Sequence, residues 1–220
     1  MELWESIAVE SHSRHSRKTS AYINLQSVVE GRAHRLVAQR VRGAARVLEI
    51  GVGGGEHLVF RHPETGSERY TGLDLSTEYA EICRQKFGID VVCCDAAEMP
   101  FENDEFDCII AISILEHVER LNDTLASVKR VLAPGGSFHV VIPTNGSIAV
   151  NAFKMVMNYP TLRRRGIKRP DLVWHTLNVN SFKRVRALLH HHFGTVRETP
   201  VPFGFAPWWL SPLWAFECKV

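Results

Sequence analysis

Apolar residues follow two different periods along the 220-residue chain, and each period predicts a different kind of element. Short, nearly continuous apolar runs are typical of strands that are buried on both faces of a sheet. Five such runs predict strands over residues 47–50, 69–75, 89–94, 106–113 and 137–142. Between them, apolar residues recur every three or four positions, which predicts helices over residues 21–41, 76–87 and 118–132. The alternation favours right-handed βαβ units.

The pattern changes after residue 142. Residues 148–157 predict a helical piece followed by a basic loop, and residues 181–192 predict another helix. Two last strands are expected over residues 195–199 and 213–220, the second inserted antiparallel. The sequence therefore predicts an α/β, doubly wound, mostly parallel seven-stranded sheet with helices on both faces and an antiparallel last strand.

Composition and charge argue against several classes of protein. The chain has 26 Lys and Arg against 24 Asp and Glu, and this net charge of +2 gives no indication of a nucleic-acid partner. A transmembrane helix is not expected, because no apolar run reaches about 18 residues, and the N-terminus does not resemble a signal peptide. Five cysteines without a C-x-x-C pair predict neither a disulfide framework nor a zinc site, and favour a cytoplasmic location. We expect four of them to be small core residues: Cys93, Cys94, Cys108 and Cys218.

A glycine-rich turn follows the first predicted strand. It contains Gly51, Gly53, Gly54 and Gly55. Glycine lets the backbone turn sharply and lets a ligand approach closely. A helix is predicted to begin at Glu56, and the free N–H groups of such a turn could face the negative end of a ligand. Glu49, at the end of the strand, could accept a hydrogen bond from an amine.

The dinucleotide fingerprint G-x-G-x-x-G does not fit this turn. Its third glycine would fall at Glu56 if the motif began at Gly51, and at Leu58 if it began at Gly53. Glu56 would also place a negative charge near a pyrophosphate. A tight turn that binds no ligand is the alternative.

Polar residues mark the ends of successive predicted strands, where open parallel sheets bind their ligands. Glu49, Asp74, Asp95 and Ser113 hold these positions. The two oxygens of Asp74 could accept both hydroxyls of a ribose, although a dinucleotide enzyme would also place an acid there. Asp95, followed by Ala96, suits an adenine, whose amine needs an acceptor. For each aspartate, the alternative is a helix cap or a turn.

The motifs V-L-E-I-G-V-G-G-G, G-L-D-L-S, C-D-A-A-E-M-P-F, I-L-E-H-V and R-V-L-A-P-G-G-S-F occur in this order between residues 47 and 141. As a set they resemble class I S-adenosylmethionine-dependent methyltransferases of the small-molecule type. The resemblance implies that Asp74 holds the ribose, that Asp95 and Ala96 meet the adenine, and that the glycine turn meets the methionine part. The cofactor-binding set expected for S-adenosyl-L-methionine is Glu49, Gly51, Gly53, Gly55, Asp74, Leu75, Asp95, Ala96 and Ser113.

The resemblance also suggests how the chain is organised. We expect one methyltransferase domain over residues 1–220. Within it, residues 1–44 form a tail and a lid helix, residues 45–142 the cofactor-binding core, residues 143–180 an inserted substrate cover, and residues 181–220 the C-terminal helix and last strands.

Methyl transfer to a hydroxyl gains from a general base. The candidates are His117, just past the fourth strand, and His175, in the inserted segment. His190, His191 and His192 are rejected as a metal cluster, because consecutive helical residues do not share a face. No metal is expected.

Two segments bear on the acceptor. Residues 154–169 carry six positive charges and no acid, which fits either an anionic acceptor or a solvated loop. Residues 201–216 are apolar and contain Trp208, Trp209 and Trp214, which could line a pocket, form a dimer contact or touch a membrane surface.

We therefore expect the chain to methylate a small-molecule acceptor, most simply a hydroxyl of a sugar, lipid or secondary metabolite. Two alternatives stay open: a nicotinamide-dependent oxidoreductase, and a non-catalytic partner subunit that binds S-adenosylmethionine. The fourth strand is followed by S-I-L-E, not by an asparagine-proline-proline-aromatic signature, which disfavours methylation of bases or glutamine. The sequence leaves the oligomeric state open.

Overall fold

A computed structural model describes residues 22–60, 69–164 and 166–220. It contains one seven-stranded sheet with the strand order β3-β2-β1-β4-β5-β7-β6. The strands are β1 (Arg46–Ile50), β2 (Arg69–Asp74), β3 (Asp90–Cys93), β4 (Phe106–Ile112), β5 (Leu132–Pro143), β6 (Thr195–Val201) and β7 (Leu213–Lys219). The first five strands pair in parallel, and β7 is antiparallel to both β5 and β6. The predicted fold class is confirmed, including the antiparallel last strand.

Helices cover both faces of this sheet. They are α1 (Tyr22–Arg40), α2 (Thr77–Phe87), α3 (Leu121–Val131), α4 (Ile148–Phe153), α5 (Tyr159–Arg164), α6 (Pro170–Leu177) and α7 (Phe182–His192). Side chains of β1 alternate between the two layers. Val47 packs in the cluster that contains residues of α1 and α2, whereas Leu48 packs in the cluster that contains residues of α3 and α7. Because β1 is buried on both faces, its apolar residues Val47, Leu48 and Ile50 include neighbouring positions instead of strictly alternating with polar ones.

Local capping explains where several helices begin. Ser76 caps α2 by accepting a hydrogen bond from the backbone N–H of Tyr79. Gly88 ends the same helix in the left-handed conformation. Ser181 caps α7 by accepting from the N–H of Arg184. These caps fix the helix starts near the carboxyl ends of the strands, which we call the carboxyl edge of the sheet.

Two predicted boundaries differ from the structure. The helix expected from Glu56 is, over the described residues, only the 3-10 helix Leu58–Phe60. Strand β5 begins at Leu132 and not at residue 137, so residues 133–136 belong to the strand. A Cβ at Gly136 would lie 2.8 Å from the carbonyl oxygens of Ala133 and Asp107. Glycine therefore permits a close backbone approach here instead of ending the element.

Residues 143–180 are more helical than predicted. Helix α4, a π-helical turn over Lys154–Asn158 and α5 follow one another without a break, so Arg163 lies on a helix and not in a loop. Pro160 cannot donate a backbone hydrogen bond, and the widened π turn ends two residues before it, at Asn158. Helix α6 was not predicted; it starts with Pro170, a favoured first helical residue.

The cysteines are free, and three of them are buried: Cys83, Cys108 and Cys218. Cys93 is exposed, so the prediction that it is a core residue was wrong. It ends β3, which is the edge strand of the sheet formed by the described residues. Helices in the described ranges are all too short or too polar to cross a bilayer.

Candidate cofactor and acceptor site

The glycine turn needs glycine because it is packed tightly against its neighbours. Gly51, Gly53 and Gly55 have φ values of 71°, 53° and 82°, in the left-handed region. A Cβ at Gly51 would lie 2.5 Å from Cγ1 of Ile114, and one at Gly55 would lie 2.2 Å from the ring of Phe87. Two of the motif glycines are therefore required by the protein's own packing.

Several backbone N–H groups of the turn are already used inside the protein. The N–H groups of Gly51 and Val52 donate to the carbonyl oxygen of Leu73, at 2.7 and 3.2 Å. The N–H of Gly53 donates to Oδ2 of Asp74 at 2.9 Å, and the N–H of Gly55 donates to the carbonyl of Val52. The expectation that free N–H groups of the turn face a negative ligand is wrong for these four. The turn is not built as a phosphate cradle.

Asp74 joins the turn to the start of α2. One carboxylate oxygen accepts from Gly53 and the other accepts from the N–H of Ser76, each at 2.9 Å. A carboxylate oxygen has a second lone pair, so each can still accept a hydroxyl from a ligand. Asp74 is half-buried at the end of β2, where a ribose is expected.

Carboxylates surround the turn and make it electronegative. Glu49 is buried, and its Oε2 accepts from the hydroxyl of Tyr70 at 2.6 Å. Cys83 lies beneath the turn, where its thiol donates to the carbonyl of Gly53 at 3.3 Å. Burial, together with the negative charges of Glu49, Glu56 and Asp74, raises the pKa of Cys83 to about 11.

The negative potential around the glycine turn favours S-adenosylmethionine over a nicotinamide dinucleotide. S-adenosylmethionine carries a sulfonium and an ammonium group, and both are favoured beside Glu49, Glu56 and Asp74. A dinucleotide pyrophosphate would be repelled there, and it would find few free N–H donors in the turn. The residues present therefore fit S-adenosylmethionine.

The remaining predicted cofactor residues line the same edge. Asp95 follows β3 and caps a 3-10 helix over Ala96–Glu98, its Oδ1 accepting from Ala97 at 2.8 Å. Asp95 therefore acts as a helix cap, which the sequence had left open as the alternative to an adenine contact. Ala96 is buried, whereas Leu75 is exposed at the end of β2. Ser113 ends β4 with a φ of 52°, and its N–H donates to Val141.

His117 is held in one tautomer at this edge. Its Nδ1 lies 2.6 Å from the carbonyl oxygen of Leu177, so Nδ1 carries the proton and donates it. Nε2 is then the basic nitrogen, and it lies 3.8 Å from Oε1 of Glu116. The side chain of His117 is 41% exposed, which leaves it accessible to an acceptor.

Glu116 was not singled out from the sequence. It is buried, and its Oε2 has no hydrogen-bond partner among the described residues. Burial raises the pKa of Glu116 to about 8, because the charged carboxylate loses its hydration. Beside it, the amide of Asn180 donates to the carbonyls of Leu115 and Val118, at 2.9 and 2.6 Å. Asn180 thereby fixes the loop that carries His117.

A second polar group lies where β5 ends. The amide nitrogen of Asn145 donates to Oδ1 of Asn178 at 3.0 Å, and the ammonium of Lys154 donates to Oδ1 of Asn145 at 3.1 Å. Burial lowers the pKa of Lys154. Asn178 follows Leu177 in the chain, so this group adjoins the carbonyl that holds His117.

The other candidate histidines lie apart from this arrangement. His175 is exposed on α6. His190 contacts Glu198 and His192 contacts Asn122, so they face different partners. Within the described ranges, no three His, Cys, Asp or Glu side chains are grouped to hold a metal ion.

An aromatic cavity lies further along the same edge, between α7 and the segment before β7. Its volume is about 410 Å³, and Phe182, Trp208 and Trp214 line it together with Lys183. Trp208 stacks on Phe182 with ring centroids 5.9 Å apart. Trp209 instead is exposed. The expectation of pocket lining therefore applies to two of the three tryptophans.

Known proteins that resemble this chain in sequence or in fold include several methyltransferases. Residues 48–140 match the family described as a methyltransferase domain. A probable phthiotriol/phenolphthiotriol dimycocerosates methyltransferase 2 of Mycobacterium ulcerans is 35% identical over 108 residues, covering 48% of this chain and 42% of that protein. A fatty-acid O-methyltransferase of Mycolicibacterium smegmatis is 33% identical over 108 residues, covering 48% of this chain and 39% of that protein. The aligned part thus spans less than half of these curated relatives.

A crystal structure of a methyltransferase from Thermotoga maritima, described as a possible histamine N-methyltransferase, superposes with a TM-score of 0.67. It is 18% identical, and the match covers 99% of both chains, which shows the shared fold. The matched range contains the glycine turn, Asp74 and Asp95, which the sequence predicts to be cofactor residues. Residues 48–140 therefore match the methyltransferase-domain family, and the chain shares the fold of a solved S-adenosylmethionine-dependent methyltransferase.

Proposed function

We propose that this chain methylates an oxygen atom of a lipid-like small molecule, with His117 as the general base. The observation that carries the proposal is the hydrogen bond from Nδ1 of His117 to Leu177, which leaves Nε2 free of a proton at the edge where the cofactor is expected. The relatives named for phthiotriol dimycocerosates and for fatty acids support a lipid acceptor.

The chain's residues divide the cofactor between them. Asp74 receives the ribose hydroxyls, Asp95 and Ala96 meet the adenine, and exposed Leu75 can cover one face of the purine. Glu49 and Glu56 favour the cationic methionine part. When bound, S-adenosylmethionine supplies a methyl group on a sulfonium, which is a good leaving group.

His117 would take the proton from the acceptor hydroxyl. Nε2 is its acceptor atom, and the imidazolium that forms keeps its donor bond to the carbonyl of Leu177. Glu116, 3.8 Å from Nε2, can offset the new positive charge when its carboxyl is ionised. A general base of this kind contributes a rate factor of about 10²–10⁴.

A carboxylate acceptor is the second candidate. Lys154 is half-buried beside Asn145, and a bound anion would offset the burial that lowers the pKa of its ammonium. A carboxylate is already a nucleophile and needs no base. Removal of His117 would then cost little, whereas replacing Lys154 by Met would raise KM for the acceptor.

The test is to identify the product. Purified protein is incubated with labelled S-adenosylmethionine and three matched acceptors: a long-chain alcohol, a long-chain diol and a long-chain fatty acid. We expect ether formation on the alcohol or the diol. If methyl ester forms on the fatty acid and no ether forms on the alcohol or the diol, the acceptor group is a carboxylate and not a hydroxyl.

Two further outcomes separate the rival classes. Methyl transfer by the isolated chain to any acceptor eliminates the non-catalytic partner subunit. Fluorescence titration with NADH tests the oxidoreductase, and we expect no saturable change because of the carboxylates around the glycine turn.

A further inference from the structure

The helical rod formed by residues 148–164 has its apolar side turned outward. Ile148, Met155 and Val156 are 62%, 69% and 70% exposed. On the same rod, Val150 is buried and the ammonium-bearing Lys154 is half-buried. Apolar residues of a helix in a globular protein normally face the core, so this arrangement is inverted. An outward apolar face indicates a surface that is covered by something else.

A second exposed apolar segment adjoins the rod. Residues 202–212 connect β6 to β7 and lie at the carboxyl edge, because Leu213 pairs with Pro143 at the end of β5. The N–H of Ala149 donates to the carbonyl of Trp209 at 3.2 Å, which joins this segment to the first turn of α4. Phe205 is 90% exposed. We call the combined surface the apolar rim: Ile148, Met155, Val156, Phe203, Phe205 and Trp209.

Positive charge flanks the apolar rim. Residues 143–180 contain six Lys and Arg and one acid, a net charge of +5, although the whole chain carries only +2. Arg163 and Arg164 are exposed at the end of the rod, and Lys168 is exposed in the loop that follows. Arg169 is already paired with Asp171 at 2.7 Å, so it adds little. Residues 201–216 contain no charged residue.

We propose that the apolar rim lies on the surface of an anionic lipid bilayer. Interfacial segments combine an apolar face that enters the headgroup region with Lys and Arg that contact anionic lipids, and both are present here. A symmetric dimer through the same rim would instead bring two surfaces of like charge together. The binding itself needs no methyl transfer, so it goes beyond the proposed function.

The apolar rim lies beside the proposed acceptor site, so membrane contact would bring a lipid acceptor close to the base. The rim surrounds the end of β5, where Asn145 lies beside Asn178 and the carbonyl that holds His117. A lipid acceptor could therefore pass from the bilayer to the base without crossing water.

The experiment is sedimentation of the full chain with vesicles. One set contains phosphatidylcholine alone, and the other contains phosphatidylcholine with about one third phosphatidylglycerol. We expect tight binding to the anionic set, weakened by salt. The double variant Met155→Ser/Val156→Ser should lower the partition coefficient at least about tenfold. Arg163→Gln/Arg164→Gln should lower it about 25-fold on anionic vesicles only, at roughly fivefold for each cation.

Matched controls use equivalent side chains elsewhere. Ile82→Ser replaces an exposed apolar residue of α2, and Lys86→Gln/Lys129→Gln removes two exposed cations away from the rim. Both should bind as the unaltered protein does. Thermal melting and S-adenosylhomocysteine binding confirm that each variant is folded.

Three results overturn the inference. The first is that the protein binds neither vesicle set, and the second is that the rim variants bind as tightly as the unaltered protein. The third is self-association that Met155→Ser/Val156→Ser abolishes, which would assign the rim to a dimer contact. Vesicle binding together with no methyl transfer to any acceptor would overturn the proposed function and leave the rim assignment standing. Turnover of a short, water-soluble acceptor should be unaffected by the rim variants.

Discussion

Nδ1 of His117 lies 2.6 Å from the carbonyl oxygen of Leu177, so the loop after β4 is joined to the last residue of α6. The two residues are 60 positions apart in the chain. The bond fixes the tautomer of the proposed base, and the segment that supplies the carbonyl also borders the proposed acceptor site.

Replacing His117 by Ala should slow methylation of a hydroxyl acceptor by about 10²–10⁴ in kcat, because the acceptor proton then has no base. The Kd for S-adenosylhomocysteine should not change, since His117 is not in the proposed cofactor set. The matched control is His175→Ala, which removes the second candidate base. A larger loss from His175→Ala than from His117→Ala would reverse the assignment.

Replacing Glu116 by Gln should change how stability depends on pH. The folded protein holds the pKa of Glu116 at about 8, above the ordinary value of about 4.3 in an unfolded chain. Its contribution to stability is therefore complete below about pH 4.3 and is lost as the pH rises through about 8. Gln cannot ionise, so the variant keeps its stability over this range.

The measurement is the Tm of both proteins at pH 5 and at pH 8.5. The Tm of the variant minus the Tm of the parent should be larger at pH 8.5 than at pH 5, by at least about 5 °C. Glu119→Gln, at a neighbouring exposed position, should show no such gain. Parallel pH profiles for parent and Glu116→Gln would contradict the buried, protonated carboxyl.

Replacing Asn180 by Ala should cost both stability and activity. The side chain is buried and donates to the carbonyls of Leu115 and Val118, which would be left without that partner. We expect a loss of about 2–3 kcal/mol in the free energy of unfolding, measured by urea titration. The loop that carries His117 would loosen, so kcat should fall. Asn151→Ala, at an exposed position of α4, should change neither quantity.

Replacing Gly55 by Ala tests whether the glycine turn is constrained by packing. The new Cβ would meet the ring of Phe87 at 2.2 Å and would also adopt an unfavourable positive φ of 82°. The positive φ alone costs about 1–2 kcal/mol, and the overlap adds about 1–3 kcal/mol. Gly135→Ala is the matched control, because its φ is 78° but nothing lies within 4 Å of the added atom. Equal losses of unfolding free energy would show that packing against Phe87 plays no part.

The regular part of the fold could be predicted because its signals are local. Strand β4 is apolar without a break from Cys108 to Ile112, and Ser76 caps a helix that begins at the next residue. The strand-end position of Asp74 follows from these elements. Such features depend on neighbouring residues in the chain, and the sequence displays them directly.

The rest depends on contacts between distant residues. Glu116 looks like an exposed polar residue in the sequence, but it is buried, and its carbonyl oxygen accepts from the N–H of Asn180, 64 positions away. Gly136 shows the same dependence on distant contacts. It lies inside strand β5, where it comes close to the backbone of Asp107 in the neighbouring strand, and that approach is not visible in the local sequence.

Calorimetric titration with S-adenosylhomocysteine tests most directly the claim that the glycine turn and the acids at the strand ends form one cofactor site. The account predicts saturable heat at one ligand per chain. It also predicts affinity at least about tenfold lower for Asp74→Ala, which loses charge-assisted bonds to the ribose, and unchanged affinity for Asp90→Ala, an exposed acid at the start of β3. No heat from the folded parent protein, or equal affinity for both variants, would contradict it.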